Sequence, residues 1–210
     1  HFIFSTLIEI YCNLGMIVKA QGVLDKLEIR DEISLTPLMT GYLEHGYCEE
    51  AFTYFKQIQP EGATLDSSLY VCGLKACGSL KARDKGEEIH AEIEKKGWLE
   101  LKHVGNALVD MYVKCGLLAI AQKIHFELLF RDIVSWSALI AGYAQQGQSN
   151  EALACFQQMY TEGISPDMVT FTCILQACGN IGALDTGVRI HEEVVYGGFL
   201  EDEHVVLGSA

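Results

Sequence analysis

Two triplets, His90-Ala91-Glu92 and His191-Glu192-Glu193, match the H-x-E of zinc deaminases, in which the His holds the metal and the Glu moves the proton. That chemistry also needs a P-C-x-x-C partner, and the sequence contains none. The eight cysteines do not supply a substitute. Cys72 with Cys77, and Cys173 with Cys178, are spaced C-x-x-x-x-C, a poor fit to a zinc knuckle. Cys12, Cys48, Cys115 and Cys155 recur nowhere in step with one another. All eight read as reduced thiols packed as small hydrophobes, which suits a reducing compartment. There is no G-x-x-x-x-G-K-[ST] phosphate loop, no G-x-S-x-G elbow and no G-x-G-x-x-G fingerprint. Acidic pairs such as Glu49-Glu50 and Glu87-Glu88 read as solvated helix faces. The chain therefore reads as a binding protein, with no catalytic residue, no metal and no cofactor.

The charge balance narrows what it could bind. Lys and Arg number 15 against 28 Asp and Glu, a net −13 over 210 residues. A generic nucleic-acid or acidic-membrane binder carries the opposite excess, so any nucleic-acid role must rest on locally placed groups. No apolar run approaches the roughly 20 residues of a membrane span. The sequence begins at His1 and stops at Ala210 inside an apolar pattern, and the expectation is a piece of a longer protein.

The elements that would position such groups are legible from self-similarity. Shifted by 101 residues, the chain aligns with itself at 34 of 101 positions without a gap. Tyr11 meets Tyr112, Gly41-Tyr42 meets Gly142-Tyr143, Phe55 meets Phe156, Asp66 meets Asp167, and His90 meets His191. The period divides into 31 + 35 + 35 residues, predicting units at 1–31, 32–66, 67–101, 102–132, 133–167 and 168–202, with a seventh begun at 203–210. Each unit has two apolar stripes at spacings of three and four, the signature of paired amphipathic helices. In 32–66, Leu38, Met39 and Tyr42 precede Gly46, and Ala51, Phe55 and Ile58 follow it. Small residues open the second helices (Ala20, Ala51, Ala121, Ala152), which predicts close backbone contact. A pair this short cannot bury its stripe alone; stacked pairs can. The predicted fold is all-α, a solenoid of stacked helix-turn-helix units with a concave face.

Three stretches carry a family resemblance: NALVDMYVKCG at 106–116, SWSALIAGYAQQGQSNEALACFQQMYTEGISPD at 135–167, and TFTCILQACGNIGALDTGVRIHEEVVYGGF at 170–199. They resemble the pentatricopeptide repeats of plants, specifically the class that cycles short, standard and long motifs. The resemblance implies a right-handed α-solenoid that binds single-stranded RNA at roughly one base per repeat. It also implies which residues read: the fifth and last of each motif, with the second flanking the base. Carried over, the short motifs give Ser5 with Asp31 and Asn106 with Asp132. The standard motifs give Thr36 with Asp66 and Ser137 with Asp167, and the last long motif gives Thr172 with Asp202. The first long motif gives Val71 with Leu101, which cannot hydrogen-bond through their side chains and should be mute. The flanking positions are Phe2, Ile33, Ser68, His103, Val134 and Val169.

A carboxylate only accepts, so it favours bases presenting an imino N–H, guanine and uracil, over adenine and cytosine. In the family Ser or Thr with Asp goes with guanine, and Asn with Asp goes with uracil. The implied register is G-G-x-U-G-x. The family often carries Lys near the end of the first helix, toward the phosphates; here those places hold Asn13, Glu44, Ser79, Lys114, Gln145 and Asn180. Lys114 is thus the one expected phosphate contact, and weak RNA binding with a shallow salt dependence follows. The resemblance further implies selection of transcripts in the mitochondrion or chloroplast for processing such as C-to-U editing, with editing-complex proteins as partners. The rival expectation is a scaffold that holds a protein or peptide in its concave groove.

Overall fold

The computed structural model describes residues 2–27, 32–58 and 65–196. Asp31, Asp202 and the start of a seventh unit at 203–210 lie outside the described residues, as do the side chains of Phe2 and Ile33. The described residues form twelve α-helices and one short 3-10 turn, Trp98–Glu100, with no strand among them. The helices alternate between two rows. The first helices are α1 (Phe2–Asn13), α3 (Glu32–Glu44), α5 (Ser67–Leu80), α7 (Lys102–Lys114), α9 (Ile133–Gln145) and α11 (Met168–Ile181). The second helices are α2 (Ile17–Leu24), α4 (Cys48–Ile58), α6 (Arg83–Lys95), α8 (Leu118–Glu127), α10 (Ser149–Thr161) and α12 (Leu184–Tyr196).

The sequence sets the pairing. Ala20, Ala51, Ala121 and Ala152 are each 0 % exposed, so no bulk holds the second helix off its partner. Gly41 and Gly142 do the same between successive units. A Cβ on Gly41 would meet Cys12 Sγ at 2.5 Å, and one on Gly142 would meet Val113 Cγ1 at 2.6 Å. Aromatic side chains then lock α4 and α10 to the first helices that follow them. Phe55 of α4 packs edge-on against Tyr70 of α5 with ring centroids 5.4 Å apart, and Phe156 of α10 against Phe171 of α11 at 6.2 Å. Burying each such ring stabilises the stack by about 2–3 kcal/mol.

Every first helix packs lengthwise on the next first helix, whereas successive second helices make no comparable contact. A row with tight neighbours beside a row with splayed ones curves toward the tight row. The first helices therefore form the inner, concave wall of the solenoid, and the second helices stand outside.

Candidate nucleic-acid interface

Four neighbours enclose each interior first helix: the first helices before and after it, its own partner, and the second helix of the preceding unit. One line of residues stays open. On α5 it is Ser67, Ser68, Val71, Lys75, Ser79 and Leu80; every other residue is buried. On α7 it is Lys102, His103, Asn106, Asp110, Val113 and Lys114. Steps of about four residues keep such a line on one face of a helix. The fifth and second positions of these motifs fall on that open line.

In the unit 102–132 the two expected readers meet. Asn106 Nδ2 donates to Asp132 Oδ1 at 3.1 Å and to Oδ2 at 3.2 Å. Asp132 has two further duties. It caps α9, accepting from Val134 N–H at 3.0 Å and Ser135 N–H at 3.2 Å, while its own N–H donates to Ser135 Oγ at 3.3 Å. Lys102 Nζ lies 2.8 Å from its Oδ2, a cation that sequence reasoning missed. Burial pushes the Asp132 carboxyl up, but Lys102, the Ser135 N–H and Asn106 outweigh it and hold the group below the ordinary carboxylate value. The second-position residue His103 is exposed, and its Nε2 sits 2.9 Å from Ser67 Oγ of the preceding unit.

The unit 133–167 is wired differently. Ser137 Oγ is 3.5 Å from Asp167 Oδ1 but only 2.8 Å from Thr170 Oγ1. Thr170 in turn donates to Asp167 Oδ1 from its hydroxyl at 2.7 Å and its N–H at 2.8 Å. Ser137 and Thr170 are buried, so the reading pair is closed over by its neighbour. In 32–66, Asp66 Oδ1 accepts from Leu69 N–H at 3.0 Å, and half-buried Thr36 has no hydrogen bond to it among the described residues. Ser5 is buried on α1.

The remaining expected residues vary. Thr172 is exposed, but its hydroxyl turns back to Met168 O at 2.7 Å. Val134 and Val169 are 55 % and 58 % exposed, and Ser68 is half-buried. Val71 is half-buried, and Leu101 begins the following first helix from an extended backbone. Lys114 is exposed and paired with Asp110 at 2.8 Å.

The other chemical candidates sit elsewhere. His90 lies on the outer helix α6 with Nδ1 2.9 Å from Tyr112 Oη, and burial lowers its pKa. His191 is exposed on α12. Burial raises the Cys77 thiol to about 12 and the Cys155 thiol to about 11, values at which neither is a thiolate near neutral pH.

The matching family models describe one kind of repeat. Profiles described as PPR repeat and PPR repeat family match residues 2–31, 33–59 and 131–180, together just over half of the chain. The chain is 39 % identical over 176 residues to the Arabidopsis thaliana pentatricopeptide repeat-containing protein DOT4, chloroplastic, spanning 83 % of this chain and 20 % of that protein. It is 34 % identical over 195 residues to CRR2, chloroplastic, of the same plant, spanning 91 % of this chain and 29 % of that protein. Against a mitochondrial pentatricopeptide repeat-containing protein of that plant it is 32 % identical over 202 residues, or 96 % of this chain and 36 % of the relative. The chain thus spans well under half of each of these relatives. Among solved structures, the maize pentatricopeptide repeat protein PPR10 superposes with a TM-score of 0.70 at 19 % identity, covering 92 % of this chain and 29 % of that one. The same protein in complex with an 18-nt psaJ RNA element gives 0.68 at 21 % identity, over 93 % of this chain and 30 % of that one.

Proposed function

The chain belongs to the pentatricopeptide repeat family, and we propose on that footing that its concave wall binds single-stranded RNA, one base per unit, through the pairs Thr36–Asp66, Asn106–Asp132 and Ser137–Asp167. Ser5–Asp31 and Thr172–Asp202 complete the set, giving the register G-G-x-U-G-x. The observation that carries the reading is the single open line on each interior first helix. Polar fifth-position residues stand on or beside it, and two of them, Asn106 and Ser137, reach the carboxylate that closes their own unit. A carboxylate beside an amide or hydroxyl is an acceptor–donor pair suited to a Watson–Crick edge with an imino N–H. That PPR10, of similar fold, forms a complex with an 18-nt psaJ RNA element supports RNA as the ligand.

The finer proposal is an array of short, standard and long motifs within a longer protein, acting in the mitochondrion or chloroplast. Relatives named for both compartments support that placement. There the array selects transcripts for processing such as C-to-U editing, alongside editing-complex proteins. The rival, a peptide scaffold, draws on the net −13 and on exposed Met168, Val134 and Val169 along the wall.

A titration separates these readings. RNA containing GGNUGN should bind more tightly than its complement and than a GGNCGN variant, and Asn106→Ser should move the preference at the fourth base from uracil toward guanine. Equal binding of all three RNAs, with no response to Asn106→Ser, would dispose of base reading. An apolar peptide site would hold its ligand with little dependence on salt, unlike a phosphate-bearing one.

A further inference from the structure

The first-helix row is unevenly charged. The inward helices α9 and α11 carry no charged residue, α1 carries only Glu9, and α3 carries only Glu32 and Glu44. Every lysine of the row lies on two adjacent helices: Lys75 on α5, and Lys102 and Lys114 on α7. Lys102 is bound to Asp132 and Lys114 to Asp110, each at 2.8 Å. Lys75 is exposed and, among the described residues, has no carboxylate partner.

The helix register places Lys75 within the groove. Ser67 of α5 bonds His103 of α7, and a Cβ on Gly78 of α5 would lie 3.2 Å from Lys114 Cδ. Both pairs are offset by 36 residues, so the two helices run side by side in constant register and Lys75 stands level with Met111, one residue beyond Asp110. It is four residues after Val71 on the same open line, about 6 Å deeper along the axis. The aliphatic stem of Lys114 crosses Gly78 toward α5, which brings the second ammonium to the same stretch of wall.

We propose that Lys75 is a phosphate-binding residue, and that the unit 67–101 grips the RNA backbone in place of a base. The argument rests on the RNA-binding reading above. Its reading positions, Val71 and Leu101, offer no side-chain hydrogen bond, yet its helix carries the one lysine of the row with no acid partner among the described residues. In a chain of net −13, an anion entering the groove meets an unpaired positive charge at Lys75 and a releasable one at Lys114. A phosphodiester is the ligand group that supplies such an anion at every step along a strand, independent of sequence.

The test uses the whole chain and fluorescent single-stranded RNAs, matched (GGNUGN) and mismatched (GGNCGN), titrated from low to high salt. Lys75→Gln should weaken both RNAs equally, by about fivefold at low salt, and reduce the log–log salt slope by about 0.7, the share of one phosphate on a single strand. Lys75→Arg should restore affinity and slope, while Asn106→Ser should alter base preference and leave the slope unchanged. Lys123→Gln, an exposed lysine on the outer helix α8, serves as the charge-matched control. If wild-type protein binds and discriminates while Lys75→Gln behaves like Lys123→Gln, the phosphate role is wrong and base reading stands. If wild-type protein binds neither RNA, base reading itself fails and takes this inference with it.

Discussion

Residues 1–101 and 102–202 are two copies of one pattern, and their differences separate scaffold from site. The packing bonds repeat. Tyr42 Oη donates to Gln21 Oε1 at 3.1 Å in the first copy, and Tyr143 Oη to Gln122 Oε1 at 2.9 Å in the second. The Phe55–Tyr70 contact recurs as Phe156–Phe171. The wiring around the proposed reading pairs does not repeat. Leu69 of the first copy is Thr170 in the second, and that one hydroxyl draws Ser137 and Asp167 into a buried network, whereas the Asp66 carboxylate, among the described residues, keeps only its helix-capping bond. The core beneath differs as well. Leu24 and Leu35 of the first copy correspond to His125 and Trp136, all four buried, and the two imidazole nitrogens and the indole nitrogen have no hydrogen-bond partner among the described residues. Two units with the same motif wording are therefore not equally open.

The largest expected effect attacks the core difference. Burial first, and Arg131 second, lower the His125 pKa from 6.5 to about 4, although Glu162 and Asp132 pull the other way. The folded state therefore holds the neutral imidazole while the unfolded chain takes up a proton below pH 6.5. Stability is fully present above that pH and is lost as pH falls from about 6.5 toward 4, by about 3 kcal/mol in total. Urea unfolding at pH 8 and pH 5 should differ by about 2 kcal/mol in wild type from this residue, and His125→Leu should remove that part of the difference. A pH dependence unchanged in His125→Leu would mean that the ring is not held neutral.

Next come the two caps. Asp167→Ala removes a helix cap together with the Thr170 and Ser137 bonds, and should cost about 2–3 kcal/mol; Asp66→Ala removes a cap alone and should cost about 1 kcal/mol. Equal losses in urea melts would erase the contrast. Thr170→Val keeps the shape and deletes the hydroxyl. It should lower stability by about 1 kcal/mol yet sharpen guanine-over-adenine preference at the unit 133–167, because Ser137 and Asp167 are released to a base. Thermal melts and RNA titrations together read both signs, and a loss of stability with no gain in preference would show the network to be structural only.

The smallest effect concerns a helix end. Lys81 closes α5 at φ +53°, where the second copy closes α11 with Gly182 at φ +69°. A left-handed backbone strains a side chain but not glycine, so Lys81→Gly should stabilise the first copy by about 0.5–1 kcal/mol. No gain on melting would place the strain elsewhere.

Much of this was legible in the sequence because the repeat is written in packing residues. Ala20, Ala51, Ala121 and Ala152 announced close helix pairs, and each is fully buried. The proposed reading residues were chosen through wording shared with a family, and Asn106 does meet Asp132. What no spacing announced was Lys102 on Asp132, Thr170 over Ser137, or the register that sets Lys75 beside α7. Those contacts join residues 30 to 36 positions apart, within one unit for Lys102 and Asp132 and across a motif border for the others, where neither helix periodicity nor motif wording constrains the side chains.

By itself the sequence determined the repeating unit, the alternation of helices and the row on which polar residues would stand, because burying an amphipathic stripe fixes the i, i+3, i+4 positions whatever their neighbours. Only the tertiary structure decided which of those polar groups remain free. Side-chain hydrogen bonds and ion pairs act over about 3 Å, and the atoms within that reach are brought together by the pairing and stacking of helices, within a unit for Asn106 and Lys102 and from the next unit for Ser137.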